Sequence, residues 1–246
     1  MKIYTELPRK NLMNRDKHVC WSVDDYESQR KSYDEKRFLN YENYIRVGRE
    51  LFKEKIILGE KIRDYLVQNN IQGDIFCVGV GDAYTEMQLL EGNRKLLLTD
   101  YDKSTIDRYK RLFKDDRRTR FEYFDLKKDD FTGIPHEYPI LVANAVFYAF
   151  SDRELDGIIG GIKSAGFREL IIVSHTHMAT KNMIKRVLKY IRIYLNRFKK
   201  NTRFYGYFRE TGHYKKILKK RGLSVLDSKE LKVNGVPILY RVRISE

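Results

Sequence analysis

The chain has 246 residues, 42% of them apolar, and 49 Lys and Arg against 34 Asp and Glu give a formal charge of 49 − 34 = +15. That length suits one large α/β domain with an appendage, and two cysteines, Cys20 and Cys77, exclude a disulfide-built miniature. No apolar run reaches membrane-spanning length, the first residues lack the apolar core of a secretion leader and no zinc-type Cys/His spacing occurs, so a cytoplasmic protein is expected, with a polyanion such as nucleic acid, an acidic glycan or an anionic membrane surface as partner.

Residues 1–24 are polar and broken by Pro8, and they hold Trp21, the single tryptophan; they read as an arm that folds over a ligand site. From Asp25 to Asn70 there is no proline and only Gly48 and Gly59. Phe38, Tyr41, Tyr44 and Ile45 recur at helical spacing, as do Leu51, Ile56, Ile57, Ile62 and Leu66 less regularly, which predicts two or three helices. Tyr26, Tyr33, Phe38, Tyr41 and Tyr44 form a dense aromatic stripe, more often core than cofactor lid. Residues 1–72 are accordingly read as an arm and helices serving as a lid or acceptor region. Residues 73–246 form the main domain, with a basic helical insertion at about 180–203.

The organising stretch is Asp74 to Asp102. Ile75-Phe76-Cys77-Val78 reads as a buried strand ending in a sharp turn at Gly79-Val80-Gly81. Without Cβ atoms these glycines reach unusual φ and let backbone press against a ligand. Tyr84 to Leu90 predicts a helix, and Leu96-Leu97-Leu98 a second strand stopping at Thr99-Asp100. Strand, glycine turn, helix, strand and acid is an arrangement that cradles nucleotide-type ligands, the acid accepting from ribose hydroxyls. A dinucleotide fingerprint needs a further glycine at position 84, which is Tyr.

Ser104 to Lys114 predicts a helix, followed by the basic loop Arg117-Arg118-Thr119-Arg120 and a third strand, Phe121 to Phe124, running into Asp125-Leu126. Pro139 to Ala143 reads as a fourth strand ending at Asn144, and Ser151 with Glu154 as a capping box opening a helix through Ile162. Leu170 to Val173 is the fifth strand, ending at Ser174-His175. In Met183 to Phe198, Ile184, Val187, Leu188, Ile191, Leu195 and Phe198 make one apolar stripe and Lys185, Arg186, Lys189, Arg192 and Arg197 cover the rest. This is a helix docked on the core by its apolar side or laid on an anionic surface. A helix ending at Gly222, a strand from Ser224, a turn at Asn234-Gly235 and a last strand Ile238 to Ile244 close the chain.

The stretch around Gly79 resembles motif I of the class I S-adenosylmethionine-dependent methyltransferases, an acid followed by three glycines at alternate positions. Gly79 and Gly81 match, Cys77 stands at the acid and Ala83 at the third glycine. The run from Asn144 to His175 resembles that family's fourth strand, helix and fifth strand, and the likeness covers about Asp74 to Ile244 in order. It implies an α/β fold with a seven-stranded, mostly parallel sheet, an antiparallel last strand, helices on both faces and a helical N-terminal extension. It also implies S-adenosylmethionine as cofactor. Gly79, Gly81, Asp100 and Asp125 are the residues it assigns to the donor, joined by Asp82, Leu126 and Asn144. With Cys77 at the acid's place, the family's usual hold on the methionine amino group is missing.

A sulfonium methyl donor is already activated, so catalysis is mainly alignment of a nucleophile, with a base where the acceptor is a hydroxyl. Sites in such sheets lie at the strands' carboxyl ends, which places Asn144 and His175 at the methyl group, His175 as first candidate base and His177 as second. Asn144 through Phe147 lacks the prolines of enzymes that methylate nucleic-acid amino groups, and the strand ends lack the clustered acids of metal-dependent catechol-type enzymes. The expectation is a metal-free O-methyltransferase acting on a sugar, a polysaccharide or another polar acceptor, the glycan lipid-linked at an anionic membrane surface. RNA methylation is the alternative, favoured by charge and by the Arg117 to Arg120 loop. A non-catalytic binding protein of the same fold is the third reading, allowed by Cys77 and Ala83.

Overall fold

A computed structural model describes residues 38–174, 209, 211–233 and 237–244. Among the described residues two helices come first, α1 (Tyr41–Leu51) and α2 (Lys53–Gln68), separated only by Phe52. Then follow β1 (Ile75–Val78), β2 (Leu96–Asp100), α3 (Lys103–Leu112), β3 (Thr119–Tyr123), β4 (Ile140–Asn144), α4 (Asp152–Ala165), β5 (Glu169–Ser174), α5 (Thr211–Lys220), β6 (Ser224–Glu230) and β7 (Ile238–Arg243). They form one sheet of seven strands in the order β3-β2-β1-β4-β5-β7-β6. Every pairing from β3 to β5 is parallel; β7 runs antiparallel to both its neighbours. The expected sheet with its reversed last strand is therefore what the chain builds.

The central strands are apolar throughout because both faces are covered. Ile75, Cys77, Leu96, Leu98, Ile140 and Val142 point into one core with Tyr44, Leu58, Ile62 and Tyr109 from α1, α2 and α3. Phe76, Val78, Leu97, Leu141 and Ala143 point into the other, with Leu155, Ile159 and Ile162 of α4 and Tyr214 and Leu218 of α5. The described part of the N-terminal region is thus a layer packed on the sheet. Its aromatics are mostly core: Tyr44 is buried and Phe38 meets Tyr109 edge to face at 5.1 Å, although Tyr41 stays half exposed.

The capping box at Ser151 and Glu154 forms as predicted, each side chain bonded to the other's backbone N–H, a device worth about 1 kcal/mol. The helix expected over Tyr84 to Leu90 does not form; a short 3-10 turn, Glu86–Leu89, replaces it. The left-handed Ala83 (φ 57°) precedes the turn and Leu90 is already extended (ψ 120°), so the chain has no room for a full helix before it must return to β2. Tyr26, Tyr33, Trp21, the stripe from Ile184 to Phe198 and the turn at Asn234-Gly235 lie outside the described residues. No described helix is long and apolar enough to cross a membrane.

Candidate active site

The site is built outward from the end of β1. Gly79, Gly81 and Ala83, at alternate positions, have φ of 66°, 54° and 57°. Three left-handed residues in that rhythm are what a triple-glycine turn would supply. Alanine adopts the same backbone at a cost of about 1–2 kcal/mol, so the missing glycine at 83 changes the residue and leaves the turn. The two glycines serve different ends. A Cβ at Gly79 would lie 2.4 Å from Val146 Cγ2, so this glycine lets the loop after β4 close onto the turn; a Cβ at Gly81 would meet nothing within 4 Å. Open space in front of bare backbone therefore lies at Gly81.

Neighbouring elements fix the turn from several sides. Val80 N–H donates to Thr99 O (3.1 Å) and Gly81 N–H to Asp100 Oδ2 (2.9 Å), while the Tyr109 hydroxyl donates to Gly81 O (3.2 Å). From the other side, the Tyr44 hydroxyl donates to Asp82 O (3.1 Å) and Lys55 pairs with the Asp82 carboxylate. Tyr84 stacks on both Tyr44 (4.4 Å) and Phe52 (4.9 Å). Gly48 and Gly59, the two glycines of the helical region, explain the closeness: a Cβ at Gly48 would lie 2.5 Å from the Tyr84 ring and one at Gly59 2.2 Å from Thr85 O. Asp82 is consequently turned toward α1 and α2.

Asp100 is buried at the end of β2 and accepts from Gly81 N–H through Oδ2 and from Asp102 N–H (3.0 Å) through Oδ1. Both oxygens of this carboxylate thus face the turn and the start of α3. Asp125 lies two residues beyond β3, beside β2, where Phe124 N–H donates to Asp100 O (3.0 Å). Its carboxylate accepts from Lys127 N–H (3.0 Å) and faces Lys128 Nζ (3.4 Å), and Leu126 is buried behind it.

Across the turn, Asn144 at the end of β4 donates through Nδ2 to Glu86 Oε1 at 2.9 Å. Glu86 is 3% exposed, and burial pushes its carboxyl up to about 7 from an ordinary 4.5, against the Asn144 hydrogen bond that lowers it. Asn144 Oδ1 is buried and accepts no hydrogen bond among the described residues. Sequence reasoning missed Glu86 by counting it as a helix former. Its burial depends on a partner 58 residues away, so no local pattern announces it.

The loop after β4 carries a further left-handed alanine, Ala145 (φ 50°), whose N–H donates to Val173 O (2.8 Å). Arg209, 4% exposed, donates to Phe147 O, Phe150 O and Asp152 Oδ1 and so pins this loop. His213 Nε2 lies 2.8 Å from Asp152 Oδ2. His175 and His177 lie outside the described residues.

No family model matches the sequence and no curated protein does. Solved structures do match. A magnesium protoporphyrin IX methyltransferase from Synechocystis PCC 6803 with bound SAH aligns at a TM-score of 0.60 and 17% identity, over 90% of this chain and 97% of its own. The mitomycin 7-O-methyltransferase aligns at 0.61 and 13%, over 77% and 54%. An S-adenosylmethionine-dependent methyltransferase from Methanosarcina mazei aligns at 0.59 and 11%, over 73% and 97%. The chain has the fold of the class I S-adenosylmethionine-dependent methyltransferases. The residues that the sequence resemblance assigned to the donor line the carboxyl edge in the order of the strands: Asp125 beyond β3, Asp100 at β2, the turn at 79–83 after β1, and Asn144 at β4. The unfilled space at Gly81 and the buried acceptor without a donor at Asn144 both fit such a ligand.

Proposed function

We propose that the protein is an S-adenosylmethionine-dependent O-methyltransferase whose acceptor is a hydroxyl of a sugar, a polysaccharide or another polar molecule. The observation that carries it is the turn at 79–83, left-handed at each alternate residue, open at Gly81 and bonded to the buried carboxylate of Asp100. Asp100 would accept from the ribose hydroxyls, Asp125 would stand at the adenine, and the backbone at Gly81 would pass close to the sugar. The bound donor supplies an electrophilic methyl group; the protein's part is to align the acceptor, exclude water and receive the hydroxyl proton. His175 and His177 remain proposed for that proton. His213 joins them: His136 precedes β4 at the amino edge, whereas His213, in the first turn of α5 and held by Asp152, stands at the carboxyl edge.

The acceptor class rests on the residues after β4 and on the protein's charge. The absence of prolines from Asn144 to Phe147 argues against amino groups of bases. The RNA alternative leaned on Arg117 to Arg120, and these precede or open β3, at the amino edge, with Arg118 facing Asp116 (3.7 Å) and Arg120 paired with Glu122 (2.5 Å). A strand held there is a sheet's length from Gly81. Contact of the basic stretch at 180–203 with an anionic, lipid-linked glycan or membrane surface stays part of the proposal on sequence grounds.

Calorimetry with S-adenosylmethionine tests the donor: wild-type protein binds it, and Asp100→Asn weakens binding by about tenfold, the worth of charge-assisted hydrogen bonds to hydroxyls. Absence of binding to wild type overturns the reading. A donor-dependent product from a polar extract, heavier than its precursor by about 14 daltons or one methylene, then identifies the acceptor.

A further inference from the structure

The order β3-β2-β1-β4 gives the carboxyl edge a direction. A ligand with its base by Asp125 and its sugar at Asp100 must send its remaining arm toward the junction of β1 and β4. Glu86 and Asn144 lie there. The Glu86 carboxyl accepts from Asn144 Nδ2 and from its own backbone, both neutral donors, and Asn144 Oδ1 is a buried acceptor without a donor among the described residues. The titratable groups facing Glu86 are Cys77 on β1, Asp82 in the turn and Lys55 on α2, whose ammonium is already paired with Asp82. Among the described residues the corner thus holds an acid whose nearest cation is already paired with Asp82, beside an acceptor with no donor.

We propose that Glu86 and Asn144 Oδ1 together bind the α-ammonium of the donor's methionine arm, supplying from the 3-10 turn the carboxylate that position 77 lacks. The inference rests on the donor reading above. An ammonium carries three N–H donors and one positive charge, so it satisfies the orphaned amide oxygen and neutralises the buried carboxylate in one step. A hydroxyl would do the first and leave the second. Cys77 itself cannot serve, because it is fully buried and burial pushes its thiol well above its ordinary value. Since burial also raises Glu86 to about 7, the free protein below neutrality holds a proton there that an arriving ammonium must displace.

The test compares S-adenosylhomocysteine with 5′-methylthioadenosine, the same adenosyl thioether without the amino-acid arm, by calorimetry of the full chain at pH 6 in buffers of different ionisation enthalpy. At that pH an α-ammonium stays protonated, its ordinary value being about 8. Wild-type protein is expected to release a proton on binding S-adenosylhomocysteine and none on binding 5′-methylthioadenosine. Glu86→Gln should abolish the release, weaken S-adenosylhomocysteine by about tenfold or more and leave 5′-methylthioadenosine within about twofold, as loss of a charge-assisted bond requires. Equal proton release for both compounds, or equal effects of the substitution on both, overturns the inference while leaving the donor reading intact. Should the variant fail to fold, the wild-type proton count decides alone. Wild-type protein that binds neither compound overturns the donor reading and this inference with it.

Discussion

The two edges of the sheet treat their buried glutamates in opposite ways. At the amino edge, Glu169 on β5 is 4% exposed and meets Arg241 of β7 in a fork of two bonds (2.7 and 3.1 Å), while Arg94 is spent on the carbonyls of Ile71 and Gly73. At the carboxyl edge, Glu86 is just as buried and has an amide for company. Backbone follows the same division. The left-handed alanines, Ala83 and Ala145, both stand at the carboxyl edge, whereas the third left-handed residue that is not glycine among the described residues, Asn70, ends the turn after α2, where Asn is readily accommodated. The amino edge is closed by an ion pair; the carboxyl edge keeps a glutamate beside an amide and backbone strain at two alanines.

Removing each acid in turn should therefore move stability in opposite directions. Glu169→Gln leaves the Arg241 guanidinium, whose side chain is 17% exposed, with only the more distant Asp227 as counter-charge, and should destabilise by about 3 kcal/mol, the lower end for a broken buried pair. Denaturant melts of the unliganded protein at pH 7.5 measure it, and a loss under about 1 kcal/mol would mean the amino edge is not closed in this sense.

Glu86→Gln should do the reverse. In the wild type the folded carboxyl titrates at about 7 and the unfolded one near 4.5. Between those values the unfolded chain has lost a proton that the folded chain retains, so stability falls as pH rises through this window and is level above it. The full difference is about 3 kcal/mol as an upper bound. The glutamine variant, which never ionises, should match wild type at pH 4.5 and exceed it at pH 8. Parallel pH profiles for the two proteins would show Glu86 already ionised in the fold.

Legibility in the sequence divides along another line, between what consecutive residues encode and what the fold brings together. The apolar runs at Ile75 to Val78 and Leu170 to Val173, the box at Ser151 and Glu154 and the closing strand from Ile238 were legible because a strand covered on both faces, or a capped helix start, leaves its mark in consecutive residues. Asp100 and the glycine turn were legible for the same reason. The clamp of Tyr44, Lys55 and Tyr84 around Asp82, and the pairing of Glu86 with Asn144, join residues 27 to 58 positions apart or neighbours brought round by a turn, and no periodicity encodes them. Gly48 and Gly59 were noticed in the sequence as the only glycines of a helical stretch; that they mark the approach of α1 and α2 to the 84–88 turn needed the fold.

The smallest expected effect sharpens the comparison most, because it asks whether the carboxyl edge is strained by its shape or merely by its residue. Ala83 is fully buried at φ 57°. Ala83→Gly removes a left-handed penalty of about 1–2 kcal/mol, but gives back about 0.4–1 kcal/mol through the freer unfolded chain and about 0.8 kcal/mol for the buried methyl. The opposing contributions leave the variant within about 1 kcal/mol of wild type by thermal or denaturant melting. A turn that holds its backbone for the sake of a ligand should accept the glycine with this small change. A loss above about 2 kcal/mol would show instead that the methyl's packing dictates the conformation at 83, and the resemblance of this turn to a triple-glycine motif would then be an accident of core filling.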